Sequence, residues 1–492
     1  MRRIITSRTA CISSKNESVF KKSAYNLYNA STGEIRAQVI PSTQEQAIHA
    51  IENAYMAQQQ WILDFNSLDR SRMLMRVYEK VKERCQELAY LETCETGRCI
   101  GETTSYDLPH VLDVLQFYAS LACTNLVQEG RYMSHSSSGN RTPSWGYTKR
   151  EPIGLTVGIG SWNYPLVNAV TKSAAALAFG NSMVYKPSEM TPSSALELRN
   201  IYHDCGLPTD IFQVVLGSED DRPTIGNILT THPHVGLISF TGSTSVGRIV
   251  YEHAARSFKK VSLELGGKSP LIIFGDADVD NAISIAMSAN WYSSGQVCSN
   301  GTRVFVHESL YEPFVEGLVQ RTSSLQIGNP LNPASDIGPM ISKKHMERVL
   351  QDIEYGKTVD KASLIYGGTR LENTSGYYLT PAIFVDCQDT MRIVQDEIFG
   401  MVMTIHIFKD TEEVIHRANN STFGLAAGIV TKDIQRAQLV ASRIKVGFVW
   451  INSYNIAPVI YPWGGIKNSG LGKENGLDCI ETWTSAKAVY VE

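Results

Sequence analysis

From Gly154 to about Trp450 the sequence alternates short apolar runs with helix-length segments, and few architectures accept that rhythm. Residues 155–159 read as a buried strand, 165–179 as a helix closed by Gly180, and 183–185 as the next strand. Residues 191–205 continue as a helix ended by Gly206. Strands at 212–216 and 235–240 and a helix at 243–257 follow. This spacing predicts a mainly parallel, doubly wound sheet whose ligands sit at the carboxyl ends of its strands. A second block of the same kind opens near Pro270 with 271–274, continues through 304–307 and closes near Trp450. The expected class is α/β, with two domains.

Upstream, Ser42 and Glu45 predict a capping box before a helix carrying Ala47, Ile48, Ile51, Ala54 and Tyr55 on one stripe. Further helices are expected over about 67–90 and 111–126. The Ser- and Gly-rich stretch 134–144 reads as a loop or an exposed hairpin. Beyond Gly464 the periodic core pattern stops, but 488–491 is strand-like and suits pairing with another element or subunit.

Composition narrows the partners. The chain has 45 Lys and Arg against 49 Asp and Glu, a net charge of -4, and no basic stripe. A small-molecule substrate therefore fits better than nucleic acid or a membrane surface. Apolar stretches such as 169–179 fall short of the roughly 20 residues that span a bilayer. Nine cysteines without CxxC pairs argue against a disulfide framework or a metal site and for a reducing compartment. The first 22 residues carry Arg2, Arg3, Arg8, Lys15, Lys21 and Lys22 against Glu17. That composition suits a mitochondrial presequence but lacks its amphipathic period, so a cytoplasmic chain is expected, with the mitochondrial matrix as the alternative.

Cys298, in Gly295-Gln296-Val297-Cys298, lies between a predicted helix and the strand near Val304. A lone cysteine is more often a small buried hydrophobe than a nucleophile. A thiolate is nevertheless suited to carbonyl addition, being nucleophilic and later a fair leaving group. Glu264 stands between two leucines in Leu263-Glu264-Leu265-Gly266-Gly267. Desolvation there would raise its pKa and make it a general base; an exposed strand-end acid is the other reading. Asn163, in Trp162-Asn163-Tyr164-Pro165, either caps the next helix or donates its amide to an oxyanion.

In Lys186-Pro187-Ser188-Glu189 a lysine and an acid three residues later can hold ribose hydroxyls, and the acid favours NAD over NADP. Phe240-Thr241-Gly242-Ser243 leads from a strand into a helix N-terminus that can meet a pyrophosphate, although it lacks the G-x-G-x-x-G spacing.

These motifs, with Glu264-Leu265-Gly266-Gly267-Lys268-Ser269-Pro270 and Glu397-Ile398-Phe399-Gly400, occur in the order that marks the aldehyde dehydrogenase superfamily, which the chain resembles over nearly its whole length. The resemblance implies a nucleophilic Cys298, a general base Glu264, and an oxyanion site made by Asn163 and the Cys298 backbone N–H. For NAD it implies Ser161, Trp162, Lys186, Glu189, Gly242, Ser243 and Leu265, with Glu397 and Phe399 at the nicotinamide ribose. It implies an NAD-binding domain of residues 1–130 and 152–264 and a catalytic domain of 265–463. A small β oligomerisation segment, 131–151 with 464–492, would give a homodimer or homotetramer.

Residues 295–306, Tyr454-Asn455 and Gly472-Lys473-Glu474-Asn475-Gly476 are most similar to the 4-trimethylaminobutyraldehyde and betaine aldehyde dehydrogenase branch. That branch implies an amino- or trimethylammonio-aldehyde, for whose cation Tyr164, Trp291, Tyr292, Tyr454 and Trp463 are candidate aromatic faces. It also implies a proton relay through Lys186 and Glu474. Two positions depart from the pattern: Thr171 stands where many betaine aldehyde enzymes have tryptophan, and Met401 where the family has proline. The alternatives are a general aliphatic aldehyde dehydrogenase and a non-catalytic structural homologue.

Overall fold

The computed structural model describes residues 24–124, 132–135, 144–218 and 222–491. The basic N-terminal stretch and its presequence reading lie outside the described residues. The α/β expectation holds. A six-stranded sheet runs in the order Gly470–Leu471, Lys260–Glu264, Val235–Thr241, Leu155–Ile159, Ser182–Lys186 and Phe212–Val214, all parallel except the first. Chain order reverses at Leu155–Ile159. The crevice beside its carboxyl end, facing Thr241, is therefore the switch point where a doubly wound sheet takes its ligand.

Helices on both faces explain why these strands are continuously apolar. Met183 and Tyr185 point into a core shared with Leu166, Ala174, Leu198 and Tyr118. Val184, one residue out of phase, points the other way toward Ala47, Ile51, Ile225 and Val250. The second sheet has seven strands, ordered Ser363–Gly367, Ala382–Val385, Val402–Phe408, Arg303–His307, Pro270–Ile273, Ala426–Val430 and Phe448–Ile451. Only the first of these is antiparallel to its neighbour.

Several boundaries differ from expectation for visible reasons. The capping box is made by Thr43 and Gln46, at 3.2 and 2.8 Å, because the Ser42 hydroxyl accepts the Leu216 N–H at 2.9 Å and ties the helix to a strand end. The predicted 67–90 helix is two, Ser67–Glu83 and Cys85–Thr96, and the next is Leu108–Ala122, entered through a π-helical turn at Thr103–Asp107. Of the two readings of 134–144, the described parts favour the hairpin: Tyr132–His135 pairs antiparallel with Ser144–Pro152, while 136–143 lie outside the described residues. Thr484–Val491 pairs with Ser144–Pro152 to complete a three-stranded sheet.

Candidate active site

Glu264 is the last residue of Lys260–Glu264, so it stands at the carboxyl edge of the first sheet. Cys298 reaches it from the other side, after the helix Val279–Trp291 and a tight turn at Tyr292–Gly295. The turn is sharp because Ser293 and Ser294 hold φ of 54° and Gly295 a φ of 74°. A Cβ on Gly295 would overlap the Gly400 carbonyl carbon, so this position admits only glycine. The Cys298 thiol donates to Glu264 Oε1 at 3.4 Å.

Burial, reinforced by the neighbouring charge of Glu474, pushes the Glu264 carboxyl up to about 8. Its Oε2 is buried without a hydrogen-bond partner. Burial, and then the charges of Glu264 and Glu397, hold the Cys298 thiol well above its ordinary value. Part of that shift comes from the Glu264 carboxylate at 3.4 Å, so the titrations of the two groups are linked.

Asn163 closes the third side. Its Nδ2 donates to the Gln296 carbonyl, two residues before Cys298, at 3.0 Å, and its Oδ1 accepts the Ser161 hydroxyl at 2.6 Å. Asn168 donates to Ser161 in turn at 2.9 Å. One amide N–H is thus spent on orientation, and the other makes no hydrogen bond among the described residues.

The aromatic candidates separate. Tyr164 carries the Arg98 guanidinium 4.2 Å from its ring centroid, and Tyr292 meets Tyr106 edge-on at 5.9 Å. Trp463 packs against Phe448 at 5.5 Å and hydrogen-bonds the Glu474 backbone in both directions. Tyr454 is buried with its hydroxyl on the Ser299 carbonyl at 2.8 Å, behind the nucleophile. Trp291 is a correction: its indole N–H reaches Thr322 at 3.3 Å within the core packed on the seven-stranded sheet, because the last turn of its helix faces that core.

At the switch-point crevice Lys186 Nζ lies 3.8 Å from a Glu189 carboxylate oxygen. Ser243 caps Thr244–Ala255 through Val246 N at 3.4 Å, and the Gly242 N–H is held by the Glu264 carbonyl at 3.1 Å. Leu265 is tied to the Ser469 carbonyl at 2.9 Å. Across the cleft Glu397 accepts the Gly267 N–H at 3.1 Å, and burial pushes its carboxyl up to about 7. Phe399, at φ 62°, stands edge-on to Trp162 at 5.2 Å. A dinucleotide fits this layout: a Cβ on Gly266 would collide with the Glu397 carboxylate, so only glycine leaves that acid room beside the crevice.

The expected Lys186–Glu474 relay does not form. Glu474 instead accepts from Lys172 at 2.6 Å and Ser239 at 3.3 Å. Lys186 ends its strand at the sheet edge beside Glu189, whereas Lys172 sits mid-helix above Ser239, to which it donates at 3.0 Å. The sequence did hold a signal: Lys172 is the one charged residue in the otherwise uncharged helix Pro165–Ala178. Arg98, Glu102, Tyr106 and His345, which also border the site, carry no such pattern. His345 Nε2 donates to the Phe399 carbonyl at 2.8 Å.

Two doubly wound sheets facing each other across a cleft, with a thiol and a buried carboxylate where they meet, define an oxidoreductase-type α/β enzyme architecture. The chain belongs to the aldehyde dehydrogenase family, whose sequence model matches residues 18–489. It is similar to a betaine aldehyde dehydrogenase from Staphylococcus aureus solved in complex with NAD+, at 33% identity and a TM-score of 0.90, covering 95% of this chain and 92% of that one. It is similar also to a point mutant of an aldehyde dehydrogenase from Bacillus cereus, at 36% identity and a TM-score of 0.90, covering 95% and 93%. No helix among the described residues is long and apolar enough to cross a membrane.

Proposed function

We propose that the protein oxidises an amino- or trimethylammonio-aldehyde to the carboxylic acid with NAD, through a thioester on Cys298. The observation that carries this reading is the 3.4 Å contact between Cys298 Sγ and Glu264 Oε1, beside an Asn163 amide aimed at the same loop. The Cys298 sulfur adds to the aldehyde carbon as its proton passes to Glu264. The second Asn163 N–H, with the Cys298 backbone N–H, holds the oxygen that gains charge. Bound NAD supplies the hydride acceptor and a positive ring charge that favours the thiolate. Glu264, its proton passed on toward solvent, then takes a proton from the water that hydrolyses the thioester.

Lys186 and Glu189 would take the adenosine ribose, Gly242 and Ser243 the pyrophosphate, and Glu397 with Phe399 and Trp162 the nicotinamide end. Lys172 replaces Lys186 as the partner of Glu474 in the proton relay, and its contact with Ser239 extends that path along the sheet. Tyr106, Tyr164, Tyr292 and Trp463 support a cation-accepting entrance, and the betaine aldehyde dehydrogenase neighbours point the same way.

A plain aliphatic aldehyde is the second reading. It is favoured by the Arg98 guanidinium, which already covers one face of Tyr164, and by Thr171 in place of a further aromatic. The three-stranded sheet, with the exposed stack of Tyr132 and Trp145, supports assembly into a homodimer or homotetramer. The described cysteines are all unpaired, as suits the cytoplasm.

The test is NADH formation from 4-trimethylaminobutyraldehyde, betaine aldehyde, an unmethylated aminoaldehyde and hexanal, with NADP in parallel and C298A as control. Preference for the cationic aldehydes with NAD is expected. Equal use of hexanal overturns the substrate class, and NADH formation by C298A overturns the mechanism.

A further inference from the structure

The helix Cys85–Thr96 and the turn after it hold no residue of the reaction scheme, yet their charged side chains end on the backbone of both catalytic loops. Glu92, fully buried, accepts the Leu166 N–H at 3.4 Å in the first turn of Pro165–Ala178, and the Ser194 hydroxyl as well. Arg98, 1% exposed, donates Nη1 to the Asn163 carbonyl at 2.9 Å, stacks over Tyr164 and pairs with Asp107. Glu102, one helical turn on, accepts the Ser293 N–H at 2.8 Å.

Those two attachments bracket one hydrogen bond. Asn163 Nδ2 to Gln296 O, at 3.0 Å, joins the loop gripped by Arg98 to the turn gripped by Glu102. Ser293 and Ser294 are left-handed without being glycine, a strained backbone that persists only where its surroundings over-determine it. The Glu102 carboxylate is one such constraint. The π-helical turn Thr103–Asp107 brings Asp107 back onto Arg98 while Glu102 points across to Ser293, a use consistent with π-turns at functional sites.

We infer that Arg98 and Glu102 are positioning residues for the oxyanion site. Arg98 fixes the Asn163 loop from the first domain, Glu102 fixes the turn that leads to Cys298 from the second, and together they set the spacing between amide and sulfur. The inference rests on the function proposed above. Arg98 suits the task because its planar fork can serve Asn163 O and Asp107 at once, which a lysine ammonium cannot reproduce.

The experiment compares R98K, E102A and E102Q with N163A and C298A, reading the first-turnover burst of NADH from betaine aldehyde separately from steady-state kcat and from KM for NAD. R98K and E102A are expected to slow the burst at least ~10-fold, as sub-ångström misplacement of a reacting pair does, with KM for NAD within about twofold. E102Q, which keeps an acceptor for Ser293 N–H, recovers most of the rate. In the N163A background R98K adds little further loss, because it acts through the same amide. Bursts within about twofold of wild type for R98K and E102A, or a full additional loss in N163A, overturn the inference. Alkylation of Cys298 by iodoacetamide, followed by mass spectrometry, needs no turnover. If wild type forms no NADH, the functional reading fails by itself, and alkylation rates unchanged in both R98K and E102A then overturn the positioning role too.

Discussion

Glu264 and Glu474 are two buried glutamates beside the same sheet edge, close enough for the charge of one to raise the pKa of the other. Glu474 spends its Oε1 on the Lys172 ammonium at 2.6 Å and on the Ser239 hydroxyl at 3.3 Å. Glu264 has one long contact to a thiol and an Oε2 with no partner. A buried carboxylate without a hydrogen-bonded cation is pushed toward its neutral form and becomes a proton acceptor poised near neutrality. The difference lies in partners, since burial is common to both.

Removing the poorly paired acid should have the largest effect on rate. E264Q is expected to lower steady-state turnover ~10²–10⁴-fold, the range for loss of a general base, and to slow the NADH burst as well, because the same carboxylate takes the thiol proton. E474Q should fall far less in a stopped-flow and steady-state comparison. An equal collapse in both variants would make the two glutamates one functional unit and break the comparison.

Removing the cation should cost stability instead. K172M leaves Glu474 buried without its partner, and breaking such a pair costs about 3–5 kcal/mol. E264Q replaces an acid that burial already pushes toward its neutral form and should leave the unfolding midpoint near pH 7 unchanged or higher. The double variant K172M/E474L, which removes both charges, should regain most of the loss in urea unfolding. If K172M unfolds at the wild-type midpoint, the ion pair contributes nothing to the folded state.

The sequence made this contrast only half legible. Glu264 was readable because leucines flank it and two glycines follow, so strand end and burial could be inferred together. Cys298 and Asn163 were readable through their place after a helix and before one. The partner of Glu474 was not, because 302 residues separate it from Lys172 and local pattern carries no long-range pairing. Trp291 fails in the opposite direction: an aromatic at a helix end near the nucleophile looked available, and the helix phase turned it into the core. The capping box slipped by one residue because Ser42 was already engaged by Leu216. Arg98 and Glu102 act on backbone atoms, which leave no trace in side-chain pattern.

The raised pKa of Glu264 sharpens the comparison through pH, with a smaller effect. Water activation needs the deprotonated carboxylate, so thioester hydrolysis should rise with pH and level off above about 8. One titrating base gives about a tenfold gain between pH 7 and the plateau, read from single-turnover hydrolysis of the acyl-enzyme. Folding responds with the opposite sign. A carboxyl whose pKa is raised from 4.5 to about 8 binds more protons folded than unfolded across that window. Stability from this group is therefore fully present below the unfolded value and is lost as pH rises through the folded one. E264Q should abolish the hydrolysis profile and flatten this part of the stability profile together. A hydrolysis profile that stays flat from pH 6 to 9 in the wild type would mean that Glu264 is ionised throughout, and that burial with so few partners has not raised its pKa.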